Sequence, residues 1–207
     1  MMLLFLCIIF QSVFQISSSN VMTNPICGFV ASTNIETIYF EWSCHADQTT
    51  VTDSCNWEGI KCNHNGDIIE LDLESHSLSG TISPEIGDLL AMTKISITNS
   101  NLNGTIPSAL GSLVALQDLA LNNNDLSGPI PSALGSLVAL QNLYLYNNHL
   151  SGPIPSALGS LVALQYLLLN NNDLSGPIPS ALGSLVALQD LELYNNDLSG
   201  PIPSALG

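Results

Sequence analysis

The stretch Gly128-Pro-Ile-Pro-Ser-Ala-Leu-Gly-Ser-Leu-Val-Ala-Leu-Gln141 occurs three times without a change, again at Gly152–Gln165 and at Gly176–Gln189. The copies lie 24 residues apart. A fixed period of this length marks a solenoid: one unit is too small to bury its own apolar face, and stacked units bury each other's. Weaker copies start near Ile68 and Met92, and a last copy breaks off at Gly207. Written from Leu116, one unit reads L-x-x-L-x-L-x-x-N-x-L-S-G-P-I-P-S-A-L-G-S-L-V-A. The spacing predicts six such units over 67–207, the last incomplete.

Each position in the unit has a physical task. Leu119 and Leu121 alternate with polar neighbours, the pattern of a short strand with one apolar side. Leu143/Leu145, Leu167/Leu169 and Leu191/Leu193 repeat that pair. Leu126, Ile130, Leu134 and Leu137 complete the interior of the coil. Gly128 and Pro129 turn the chain after the strand. Ser132-Ala133-Leu134 is short and led by proline, which suits one 3₁₀ turn on the back. Stacking then pairs the strands into one parallel sheet. Asn124, Asn148, Asn172 and Asn196 fall where the strand bends inward. An amide there can satisfy backbone groups that the turn leaves unpaired, so these four are expected to form a structural ladder. Ser100 and His76 hold the same position in the two early units, and the poor match of His76 predicts an irregular first coil.

The rest of the chain sets bounds. Charged residues make up 9% of it, with 2 lysines (Lys61 and Lys94), no arginine and 17 acidic residues, for a net charge of -15. That balance excludes nucleic acid and an anionic membrane surface, since nothing could neutralise phosphates. A neutral or cationic partner is favoured. Residues 1–19, with an apolar run from Met1 to Phe10 and small residues at Ser17–Ser19, are expected to be a signal peptide, although no lysine or arginine precedes the run. No other segment is apolar enough to span a bilayer. Residues 20–66 are expected to form a disulfide-bonded amino-terminal cap. Cys27, Cys44, Cys55 and Cys62 allow three pairings. Cys55–Cys62 is favoured because the two flank one short segment, with Cys27–Cys44 by elimination. A zinc site using these cysteines with His45 or His64 is the rival.

The pattern L-x-x-L-x-L-x-x-N-x-L-S-G-x-I-P resembles the plant-specific class of leucine-rich repeats, and Cys55-Asn-Trp-Glu-Gly-Ile-Lys-Cys62 is similar to the cap motif C-x-W-x-G-V-x-C of the same proteins. The resemblance covers Cys55 to Gly207. It implies an α/β solenoid: a right-handed array with a parallel sheet on its concave face and a 3₁₀ or irregular convex side. It also implies a second short sheet around Leu-Ser-Gly-x-Ile-Pro, a Cys55–Cys62 disulfide, and Trp57 packed over the first coil. Such proteins serve as receptor-kinase ectodomains, as receptor-like proteins, or as secreted inhibitors of cell-wall-degrading enzymes such as polygalacturonase. This chain departs from the fuller members in having few units and no carboxy-terminal cysteine pair.

Function is expected on the variable positions beside the inward leucines. These are Glu70, Asp72 and Glu74; Lys94, Ser96 and Thr98; Asp118, Ala120 and Asn122; Asn142, Tyr144 and Tyr146; Tyr166, Leu168 and Asn170; Asp190, Glu192 and Tyr194. Four of the 5 tyrosines, Tyr144, Tyr146, Tyr166 and Tyr194, therefore share one face. Tyrosine offers rigid contact area with a polar tip and is enriched in recognition surfaces. It also simply suits exposed strands. Asp118, Asp190 and Glu192 add acidic groups that can steer a basic peptide. Asn103-Gly104-Thr105 is the sole glycosylation sequon, placed off that face. No cofactor is called for and no catalytic residue emerges. His149 shares its slot with Asp125, Asp173 and Asp197, which read as solvated turn residues rather than a calcium row. The reading is an extracellular protein- or peptide-recognition scaffold, with a co-receptor as a possible second partner. The alternatives are a hydrolase inhibitor or a protein that binds ice or polysaccharide through rows of asparagine. For the last, Asn122/Asn123, Asn147 and Asn170/Asn171 come nearest, with Tyr146 and Tyr194 interrupting.

Overall fold

A computed structural model describes residues 51–74 and 78–206. The signal peptide, the Cys27–Cys44 pair, the rest of the cap up to residue 50, and His76 fall outside them.

Two kinds of strand alternate along the chain, in the order the 24-residue unit dictates. The first kind comprises β2 (Ile68–Asp72), β4 (Lys94–Ser96), β6 (Asp118–Ala120), β8 (Asn142–Tyr144), β10 (Tyr166–Leu168) and β12 (Asp190–Glu192). They pair in parallel, each inward leucine or isoleucine opposite the next: Leu71, Ile95, Leu119, Leu143, Leu167, Leu191. At the cap, β1 (Ile60–Cys62) closes this sheet antiparallel to β2. The second kind comprises β3 (Ser79–Thr81), β5 (Asn101–Gly104), β7 (Asp125–Gly128), β9 (His149–Gly152), β11 (Asp173–Pro177) and β13 (Asp197–Ser199). These form the second parallel sheet, at the Leu-Ser-Gly-x-Ile-Pro segment. Its glycines turn the chain in the left-handed region, as at Gly128 (φ 75°), where a side chain would strain the backbone.

The return stretch of the first five coils is a five-residue 3₁₀ turn such as Ser132–Ser136, led by Pro131 in extended conformation. Among the described residues the back of the solenoid is entirely of this type, with no helix long and apolar enough to cross a membrane. Leu119, Leu121, Leu126, Leu134, Leu137 and Leu140 are fully buried, and their counterparts one unit on are too. In the sixth coil Leu191, Leu193 and Leu198 are only half-buried.

At the amino-terminal side Trp57 is buried within the same core, and Cys55 and Cys62 form a disulfide. Bonded cysteines cannot ligate zinc, so the zinc alternative fails for this pair.

The coils approach each other most tightly on the back. An ideal Cβ placed on Gly135 would lie 2.5 Å from the carbonyl oxygen of Ala157 in the next coil, and Gly87, Gly111, Gly159 and Gly183 meet Ala109, Ala133, Ala181 and Ala205 in the same way. This glycine-on-alanine column fixes the coil spacing where no strand pairing does.

Candidate recognition face

Six short strands put their outward side chains into three columns on the first sheet. The first runs Glu70, Lys94, Asp118, Asn142, Tyr166, Asp190; the second runs Asp72, Ser96, Ala120, Tyr144, Leu168, Glu192. The third, just beyond the strand ends, runs Thr98, Asn122, Tyr146, Asn170, Tyr194.

The expected outward positions are not equally outward. Ser96, Thr98, Asn122 and Asn170 are buried, which corrects the alternation reading. The cause is size. Backbone bonds from Asn123 to Tyr146 and from Asn147 to Asn170 set Asn122, Tyr146 and Asn170 side by side, so the small amides lie in the shadow of the ring between them. The middle of the face is therefore a low floor of Ser96, Ala120 and Asn122, walled by Tyr144 and Tyr146.

Of the four tyrosines, Tyr144 and Tyr166 form a tilted ring pair with centroids 6.4 Å apart. The Tyr166 hydroxyl donates to Gln189 Oε1 at 3.2 Å. Burial, and then the field of the Asp118 carboxylate, holds the Tyr144 phenol above its ordinary pKa, so it stays a neutral donor at physiological pH. Tyr194 is the most exposed, at 56%.

The acidic groups divide into two ends. Lys61 Nζ pairs with Glu70 at 2.6 Å and Lys94 Nζ with Asp72 at 2.5 Å. The hydrogen bond from Lys94 to Asp72 keeps that ammonium above its ordinary pKa. Both lysines of the chain are thus spent on the amino-terminal end. Asp118 accepts a hydrogen bond from Asn142 Nδ2. Asp190 and Glu192 have no ion pair among the described residues, so the carboxy-terminal end of the face is the uncompensated one.

Beside the face run two asparagine rows. In the buried row, Asn148 Nδ2 donates to Leu121 O and Leu145 O at 3.0 and 3.1 Å, while its Oδ1 accepts from the Leu126 amide at 3.0 Å. Asn124, Asn172 and Asn196 repeat this arrangement. In unit two, Ser100 fills the slot, and its hydroxyl donates within its own coil, to Thr98 O. The second row is the asparagine row that the sequence suggests only in interrupted form. Asn99, Asn123, Asn147, Asn171 and Asn195 all adopt left-handed backbone (φ 52–56°), which asparagine tolerates better than other non-glycine residues. Each Nδ2 from Asn123 onward donates to Oδ1 of the residue one coil earlier, at 2.5–2.8 Å. The tyrosines do not interrupt this row, since Tyr146 and Tyr194 belong to the column next to it.

Asn103 is exposed on β5, in the second sheet and off the tyrosine face. His149 lies opposite Ser127 on the second sheet, its Nδ1 3.9 Å from Asp173 Oδ2, with both groups well exposed.

Residues 91–150 match the family described as Leucine rich repeat, and residues 163–185 and 187–207 match a second profile of the same description. Among solved structures, PEPR1–AtPEP1 superposes with a TM-score of 0.82 at 35% identity, covering 88% of this chain and 26% of that one. The BIR2 ectodomain from Arabidopsis thaliana gives 0.73 at 30% identity, covering 88% of this chain and 96% of that one. The Arabidopsis receptor kinase HAESA, in complex with the peptide hormone IDA and the co-receptor SERK1, gives 0.77 at 30% identity, covering 88% and 30%. Curated relatives are receptor-like kinases of Arabidopsis thaliana, and the chain spans only 6–14% of their length.

Proposed function

The chain belongs to the plant-type leucine-rich-repeat family, and from that premise we propose that it is an extracellular recognition module that takes a peptide or protein segment across the first sheet. The observation that carries this reading is the grouping of Tyr144, Tyr146, Tyr166 and Tyr194 on that sheet, beside a low floor, with Asp190 and Glu192 left uncompensated at one end. Rigid aromatic rings supply the anchor energy, and the open carboxylates favour a ligand with cationic groups. HAESA, a similar structure, holds a peptide hormone and a co-receptor. By analogy a co-receptor is the second partner proposed here, and the glycan proposed at Asn103 would leave the face clear.

Replacing Tyr144, Tyr146 and Tyr166 together by alanine is expected to leave the circular-dichroism spectrum intact, since all three lie outside the leucine core. Loss of about 2 kcal/mol per anchoring ring would weaken binding by well over a hundredfold. Immobilised wild-type protein should therefore retain a segment from extracellular fluid that the triple variant releases. Identical retained sets on both columns would overturn the reading.

A second reading rests on the unbroken row from Asn99 to Asn195, a straight series of amides with fixed spacing of about 4.8 Å. Such a series suits a surface that itself repeats, ice or a polysaccharide. Thermal hysteresis that vanishes in an Asn123→Gly/Asn147→Gly/Asn171→Gly variant would support it, and no hysteresis in the wild type would remove the ice form.

A further inference from the structure

We infer that the carboxy-terminal end of the face is a subsite for a guanidinium group, an arginine side chain of the ligand, held at Asn170 between Tyr146 and Tyr194. This deepens the recognition reading and rests on it.

The starting observation is an acceptor without a donor. Asn170 is 4% exposed, and its Oδ1 is buried with no hydrogen-bond partner. Buried polar side-chain atoms are nearly always bonded, and this is the one such atom left unbonded among the described residues. Its surroundings say what donor would fit. The backbone bonds Asn147 N to Asn170 O and Asn171 N to Tyr194 O place Tyr146 on one side of Asn170 and Tyr194 on the other. Two strand steps separate those tyrosines by about 9–10 Å. That is wider than the roughly 7 Å at which a flat group touches both rings at once, so there is room for one planar group and for the rings to close onto it. Tyr194, more than half exposed, is the ring that can swing aside to uncover the amide oxygen. In the neighbouring column Leu168 offers an apolar bed for methylenes, and Glu192, one strand on, offers a carboxylate with no ion pair among the described residues.

A guanidinium meets all of these at once. It is flat, stacks on aromatic faces, and has donors enough for both the amide oxygen and the carboxylate. An ammonium has the charge but not the plane, and a neutral ureido group has the plane but not the charge. Asn122 sits in the same column with Thr98 on one side, so only one ring flanks it, and Ala120 and Tyr144 replace the apolar bed and the carboxylate. The chain itself contains no arginine, so a second copy cannot be the occupant.

The test uses the full-length ¹⁵N-labelled protein with N-acetyl-arginine amide as probe, and the capped citrulline and capped lysine as comparisons. Capped arginine should produce a saturable shift of the Asn170 side-chain amide resonances and of the Tyr146 and Tyr194 ring signals. Capped citrulline should bind about tenfold more weakly, the cost of losing a charge-assisted bond. Asn170→Leu should weaken capped arginine by a similar factor. Glu192→Gln, which alters only a half-buried face residue, should do the same and should also flatten the salt dependence. The Asn148 and Asn172 amide signals report that the variants are folded. Equal shifts with arginine and citrulline, or unchanged affinity in both variants, would overturn the subsite. Shifts centred on Asp72 or Asp118 would also overturn it while leaving recognition on the face standing. Loss of the tyrosine-dependent retention described above would instead remove the parent reading.

Discussion

Replacing Asn148 with leucine is expected to cost about 3 kcal/mol and to loosen the solenoid between its third and fourth coils. Leucine has nearly the same volume, so no cavity forms, and the cost is that of the bonds. Asn148 is 6% exposed and serves Leu121 O, Leu145 O and the Leu126 amide. Leu121 O keeps a second donor, Asn124 Nδ2, but the Leu126 amide loses its acceptor inside a dry interior. Each buried group stranded in this way costs about 1–3 kcal/mol. Because a solenoid is stabilised coil by coil through nearest-neighbour contacts, the damage should be local. Amide hydrogen exchange should accelerate most at Leu126, while Leu150, whose amide bonds Asn172, should change little, and the urea midpoint should fall. Asn147→Gly, one residue away, is the contrast. It keeps the left-handed backbone and removes only exposed bonds, so it should stay within about 0.5 kcal/mol of wild type. If the two variants were equally stable, the buried row would not have the structural role assigned to it.

The second large effect concerns Gly135. In an isolated 3₁₀ or helical turn, exchanging glycine for alanine usually helps, by up to about 1 kcal/mol. Here the sign should reverse. The added methyl would sit 2.5 Å from the Ala157 oxygen and 2.7 Å from its Cβ, and a backbone carbonyl cannot swing away as a flexible side chain would. Overpacking of this kind costs about 1–3 kcal/mol, and it should push the third and fourth coils apart along the back. The check is a urea titration of Gly135→Ala alone and combined with Ala157→Gly. The double variant should recover part of the loss, since one of the two clashing neighbours, the Ala157 methyl, is gone while its carbonyl remains. A stabilised Gly135→Ala would show that the coils are not in contact there.

These two positions also show what the sequence makes legible. The inward leucines and the buried asparagines follow from a single unit read along the chain, because their partners are set by a period of 24 residues. Asn148 could be assigned its role before any coordinates. Gly135 could not: its importance lies in a contact with Ala157 across the stack, and nothing in a Ser-Ala-Leu-Gly-Ser segment distinguishes a spacing contact from an ordinary turn glycine. The face was legible in outline only. Alternation puts Asn122 and Asn170 outward, but the strands are three residues long, and beyond their ends exposure is set by the bulk of Tyr146 in the adjacent coil. The pairing of Lys61 with Glu70 was hidden as well, since it depends on the antiparallel return of β1 along β2. That pairing decides which end of the face keeps its charge.

The exposed asparagine row has one more property. In the sheets, N–H groups point toward both neighbouring strands and their dipoles nearly cancel. The five side-chain amides do not alternate. From Asn123 to Asn195 every N–H is directed at the earlier coil, so every carbonyl dipole adds to the next. The row therefore points its negative end toward the carboxy-terminal coils, the side of Tyr194, Asp190 and Glu192. The molecule is electrically directional along its length, and a ligand with one cationic end would be turned to a single orientation before its side chains touch the face.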